Sequence, residues 1–167
     1  MKSKRPLLLD IAVGALAGAA STWVMDLITT TLYEREPPSV QDREDSARGS
    51  KSAYEIAAEK GAGLVGKKIS AEQRKAIGAA IHWGLGVSAG AIYGVLRNRL
   101  PGMGLGSGVA YGAAFWLGMD EAALTALGLT APPQDFPWQT HARGLAGHLV
   151  LGAVLESPFD LIDLAAN

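Results

Sequence analysis

Residues 14–26 read GALAGAASTWVMD and residues 108–120 read GVAYGAAFWLGMD. Both open on Gly, repeat it four residues on, continue with Ala-Ala and close on Met-Asp. Each is apolar enough for a lipid bilayer until its last residue, a carboxylate. The small and polar residues around the first copy recur every fourth position, as Asp10, Gly14, Gly18, Thr22 and Asp26. The same spacing gives His82, Gly86, Gly90 and Gly94, then Gly104, Gly108, Gly112, Trp116 and Asp120, then Gly144, His148, Gly152, Glu156 and Asp160. Residues four apart share a helix face, so each stretch carries a smooth stripe broken by an ionisable group. Stripes of small residues let helices approach closely in lipid. Gly14, Gly18, Gly86, Gly90, Gly94, Gly104, Gly108, Gly112 and Gly152 are therefore read as helix-packing positions, with the polar groups turned toward other helices.

Working outward, about 20 mostly apolar residues cross a bilayer core, and four spans follow, at about 7–33, 70–98, 103–129 and 141–165. Only the second has an uncharged apolar run, AIGAAIHWGLGVSAGAIYGVL at 76–96. The charges are segregated: residues 34–75 hold nine Lys/Arg and eight Asp/Glu, which keeps the mean hydropathy at +0.16. Two other readings compete. The basic start followed by an apolar run and Ala-Gly-Ala-Ala-Ser resembles a secretory signal, but Asp10 interrupts the run. A water-soluble bundle would carry 21 glycines, each costing a helix interior roughly 0.5–1 kcal/mol relative to Ala. The membrane reading explains both the glycines and the segregation. A net charge of −1 argues against a nucleic-acid partner, and the lack of cysteine excludes disulfides and thiolate metal sites.

The expected fold is all-α: a single membrane domain, 1–167, forming a four-helix up-down bundle. Pro37-Pro38 ends the first span, and 39–51 reads as a polar loop. Ser52 with Glu55 makes a capping box for a short interfacial helix at about 53–60, and Ser70 with Gln73 makes another for the next span. Spans two and four share His-x-x-Leu-Gly, at His82 and at His148, so the chain also fits two tandem helical hairpins. The basic residues Lys2, Lys4 and Arg5 favour a cytoplasmic N-terminus, although the second span points the other way.

Depth connects the motifs to chemistry. Counted at 1.5 Å per residue, Asp26, His82, Asp120 and His148 all fall roughly 10 Å inside one membrane face, with Glu121 adjacent; Glu156, deeper in the last span, is counted with the same polar intramembrane layer. Asp10, Asp160 and Asp163 are expected to be solvated at the opposite face. A charge at mid-bilayer costs about 2.5–3.5 kcal/mol, so it is kept where it is paired or used. Three readings of the layer stand side by side: polar glue between helices, a proton or cation relay built on imidazoles that titrate near neutral pH, or a divalent metal held by His82, His148, Asp26 and Asp120. No other catalytic motif is identifiable, so the chain is not expected to be an enzyme, and no cofactor is required. Lipid is the expected partner, together with a homo-oligomer or a larger membrane complex in which the chain would be a non-catalytic accessory or assembly subunit binding through its glycine faces.

The stretch GLTAPPQDFPW at 128–138, GHLV at 147–150 and Glu156 resemble the YagU-like family of small inner-membrane proteins of unknown function. The similarity covers 103–156 well and the first half more loosely. His148, Glu156, Asp135 and Trp138 coincide with the family's pattern, while the charged loop at 39–75 departs from it. The resemblance implies a multi-pass protein of a bacterial inner membrane and carries over no catalytic residue.

Overall fold

The computed structural model describes residues 5–165. Lys2 and Lys4, which bear on the orientation reading, lie outside them. Every regular element among the described residues is helical: α1 (Leu7–Glu34), α2 (Pro38–Arg48), α3 (Ala53–Leu64), α4 (Ala71–Arg99), α5 (Ser107–Trp116), a π-helical segment (Leu117–Ala123), α6 (Leu124–Ala126), a 3₁₀ turn (Pro133–Asp135) and α7 (Trp138–Ala165). Three of these, α1, α4 and α7, are long and apolar enough to cross a membrane. The expected third span is shorter and broken. Gly102 and Gly106, at φ +83° and +87°, turn the chain before Ser107, and Gly128 at φ +62° turns it after α6.

The expected polar loop at 39–51 is instead α2. Pro38 occupies its first turn, where the missing N–H costs nothing, and Glu44 on its inner face is fully buried. Glu44 is ion-paired to Arg143 of α7, and the outer face of α2 is exposed. Both capping boxes are present, at Ser52/Glu55 and Ser70/Gln73. Pro158 inside α7 supplies no N–H to Val154, and the Ser157 hydroxyl donates to the Val154 carbonyl at 3.0 Å in its place.

α1 runs antiparallel to both α4 and α7. Along α4 the seam is backbone against backbone: a Cβ on Gly14 would sit 2.3 Å from the Gly90 carbonyl oxygen, and one on Gly18 2.4 Å from that of Gly86. Along α7, Arg5 reaches Asp163 at one end and Thr29 touches Gly147 at the other. α5 packs on α7 the same way, with Gly108 against Gly152 and Gly112 against His148. Gly104 has open space around it and takes no part, which corrects its packing assignment. The core between the helices is Ala17, Tyr93, Leu151, Leu155 and Phe159. Large apolar side chains also cover the outside: Leu8, Leu16 and Leu164 are 72–79% exposed. That pattern suits a lipid surround.

One end of the helices is closed by ions. Asp10, expected to be solvated, is 1% exposed and accepts from Arg5, Asn98 and Arg99. Arg97 pairs with Asp160 at 3.1 Å and with Asp163 at 3.2 Å. Asp10 and Asp26 are sixteen residues apart on α1, so this cluster lies roughly 24 Å from the Asp26 level.

α3 is held to α4 by Arg74, which bridges Glu55 and Glu59. The Ser52 backbone N–H, with Arg74 behind it, keeps the Glu55 carboxyl below the usual carboxylate range. A lowered folded-state pKa stabilises above the unfolded value, about 4.3, and that contribution disappears as pH falls through the folded value. Acidification to about pH 3 is therefore expected to loosen α3. Amide-exchange protection of α3, corrected for intrinsic rates, should fall between pH 6 and pH 3 in the wild type and fall less in Glu55→Gln.

Candidate functional site

At the end away from Asp10, the helices part around a cavity of about 380 Å³. α1 brings Asp26, α4 brings His82, the π segment brings Asp120 and Glu121, and α7 brings His141 and His148. Arg48 of α2 and Tyr54 of α3 complete the wall. The structure thus gathers Asp26, His82, Asp120, Glu121 and His148 around one space. Glu156 does not belong with them. It lies two turns further along α7, roughly 12 Å from His148, where Oε2 accepts from the backbone N–H groups of Gly106 and Gly108 and Oε1 lies 3.8 Å from Arg97. The apolar core stands between Glu156 and the cavity.

The imidazoles and carboxylates form three pairs. His82 donates from Nε2 to Asp26, 3.0 Å from each oxygen, with the Tyr54 ring 5.1 Å from its own. His148 Nδ1 lies 3.0 Å from the Gly144 carbonyl oxygen and 3.7 Å from Asp120 Oδ2. A carbonyl only accepts, so Nδ1 carries a hydrogen, and in the neutral imidazole Nε2 is the acceptor.

His141, which the sequence reading passed over, makes the third pair. Its Nε2 lies 2.9 Å from the Pro133 carbonyl oxygen and its Nδ1 lies 2.7 Å from Glu121 Oε1. The carbonyl requires a hydrogen on Nε2. The bond to Glu121 then holds one proton that belongs either to an imidazolium or to a carboxylic acid. The available signal was spacing: His141 stands seven residues before His148, two helical turns on one face.

Consecutive residues on an α-helix diverge, yet Asp120 and Glu121 both reach the cavity. The wider π turn they occupy accounts for this, and such turns recur at functional sites. Among the described residues, no three His, Asp or Glu side chains converge as a metal-holding group, so the pairs do not assemble into the expected set of His82, His148, Asp26 and Asp120. Trp23 and Trp138 face outward, 61% and 72% exposed.

The cavity has a cover on one side. Glu44 accepts from Arg48, Arg143 and Thr140, the last at 2.6 Å. Arg143 also donates to Glu36 at 2.6 Å and lies over the Tyr33 ring. This network ties α2 to α1 and α7 beside the cavity mouth.

A family described as "Protein of unknown function (DUF1440)" matches residues 37–157. The chain belongs to that family. The DUF1440 match is consistent with the YagU-like resemblance carried by residues 128–156, and its bounds include the charged segment at 39–75. No curated protein and no solved structure matches the chain. The DUF1440 region includes His82, Asp120, Glu121, His141 and His148 together with Glu44 and Arg143. Asp26 and the rest of α1 lie outside it.

Proposed function

We propose that this DUF1440 protein is a multi-pass inner-membrane protein whose cavity takes up and releases protons through its imidazole–carboxylate pairs. The path Ser107–Ala126 is helical over twenty residues, roughly 30 Å, and serves as a fourth span beside α1, α4 and α7. Among the supports for proton handling, the Glu121–His141 bond carries the reading. With His141 Nε2 committed to Pro133, a proton crosses 2.7 Å between Nδ1 and Oε1 with no side chain moving. The other two pairs line the same space and are within reach of water entering it.

The accessory-subunit reading relied on glycine faces left free for other helices. Gly14, Gly18, Gly86, Gly90, Gly94, Gly108, Gly112 and Gly152 are all packed within the chain, which favours the cavity as the working part.

Purified protein in proteoliposomes with a trapped pH dye is expected to relax an imposed pH step faster than protein-free vesicles. Glu121→Gln keeps a hydrogen bond by donating its amide to Nδ1, but holds no titratable proton. It should slow the protein-mediated relaxation at least about tenfold, a smaller loss than the roughly 10²–10⁴ that a positioned proton-transfer group contributes in catalysis. Equal rates for the wild-type protein and empty vesicles would overturn the reading.

A further inference from the structure

We propose that the same cavity binds a small organic amine in its protonated form, an inference that rests on the cavity assigned above but not on its protons moving. Its volume, about 380 Å³, falls within the range of small-molecule sites, roughly 300–1,000 Å³. Tyr54, Phe115, Trp116 and Phe136 contribute to its wall, and aromatic faces attract a cation while accepting the apolar body that carries it.

The charges select the sign. Asp26, Asp120 and Glu121 supply three carboxylates to the wall. Arg48 is its guanidinium among the described residues, and Arg48 already pairs with Glu44 and with Asp45. The proton shared with His141 neutralises the Glu121 pair, and a carboxylate or phosphate ligand would still meet Asp26 and Asp120 as like charges.

A second observation selects an N–H-bearing cation over a quaternary one. His148 is 6% exposed and lines the cavity, and its Nδ1–H is spent on Gly144. In the neutral imidazole Nε2 is the acceptor, and it has no hydrogen-bond partner among the described residues. Nε2 is open to the cavity and not sealed inside the protein, so an N–H of a ligand can reach it. A protonated amine satisfies it, and its charge is balanced by Asp120 beside it.

The test is calorimetric titration of the full chain in detergent micelles at pH 7 with three probes of one shape: benzylamine, benzyl alcohol and benzoate. Benzylamine is expected to bind saturably and at least tenfold more tightly than benzyl alcohol, with no binding of benzoate. Asp120→Asn should weaken benzylamine at least tenfold, and Asp42→Asn, on the outer face of α2, should leave it unchanged. Should Asp120→Asn lose the wild-type melting profile, Trp116→Leu, which removes one aromatic wall, is expected to show the weakening. Equal affinity for amine and alcohol, or no saturable binding by the wild type, would overturn the proposal. Amine binding without proton relaxation in vesicles leaves this inference standing and removes the previous one; relaxation without amine binding does the reverse.

Discussion

Gly90→Ala is expected to destabilise the protein by about 3 kcal/mol, toward the top of the range for overpacking a well-filled interior. The new Cβ would fall 2.2 Å from the Gly14 carbonyl oxygen and 2.6 Å from the Gly18 Cα. Both obstacles are backbone, so no change of side-chain rotamer relieves them. α1 and α4 must separate, and the contact between Gly18 and Gly86 opens with them. Gly84 provides the control on the same helix. Nothing lies within 4 Å of a Cβ there, so Gly84→Ala should be neutral or should gain roughly 0.5–1 kcal/mol from the better helix former. Thermal melts of the two variants in one detergent are expected to move in opposite directions or by clearly different amounts. Equal losses would mean that the close seam does not carry the fold.

Glu44→Ala is expected to cost about 3–5 kcal/mol, the range for breaking a buried ion pair by removing one partner. Glu44 is fully buried and meets two guanidiniums and a hydroxyl. Its loss leaves Arg143, 9% exposed, with Glu36 as its remaining carboxylate. The damage should be local as well as global, because Arg48 and Thr140 belong both to this network and to the cavity wall. Limited proteolysis should cut α2 in Glu44→Ala under conditions that leave the wild-type helix intact. A double-mutant cycle with Arg143→Ala is expected to show strong coupling, since the two side chains share one buried contact.

The parts of the molecule legible in the sequence are those governed by spacing along one helix. A four-residue interval places Gly14, Gly18 and Asp26 on one face of α1, and the same interval places Gly108, Gly112 and Asp120 together in the second copy. Counting rise per residue was enough to set Asp26 level with His82, because the two helices are continuous and antiparallel. What escaped depends on partners far along the chain. Nothing in residues 39–51 says that Glu44 meets Arg143, ninety-nine positions later, so a helix anchored by one buried carboxylate read as a solvated loop. His141 escaped because its carboxylate, Glu121, comes from another helix. Glu156 was grouped with the other titratable groups by its residue type, although its distance along α7 and its hold on the start of α5 place it elsewhere. Asp10 was read as solvated for being near a terminus, when three donors had enclosed it.

The widened turn at Leu117–Ala123 exists because that stretch contains one residue more than an α-helix of equal length would need. Removing a single residue there, Gly118 for example, would let the chain wind regularly, so that Asp120 and Glu121 diverge by about 100° around the axis as neighbours on an α-helix do, while leaving α7 and both glycine seams untouched. Length at this one point, independent of any change of side chain, is thus a means by which descendants of this sequence would keep the scaffold and silence one of its three pairs.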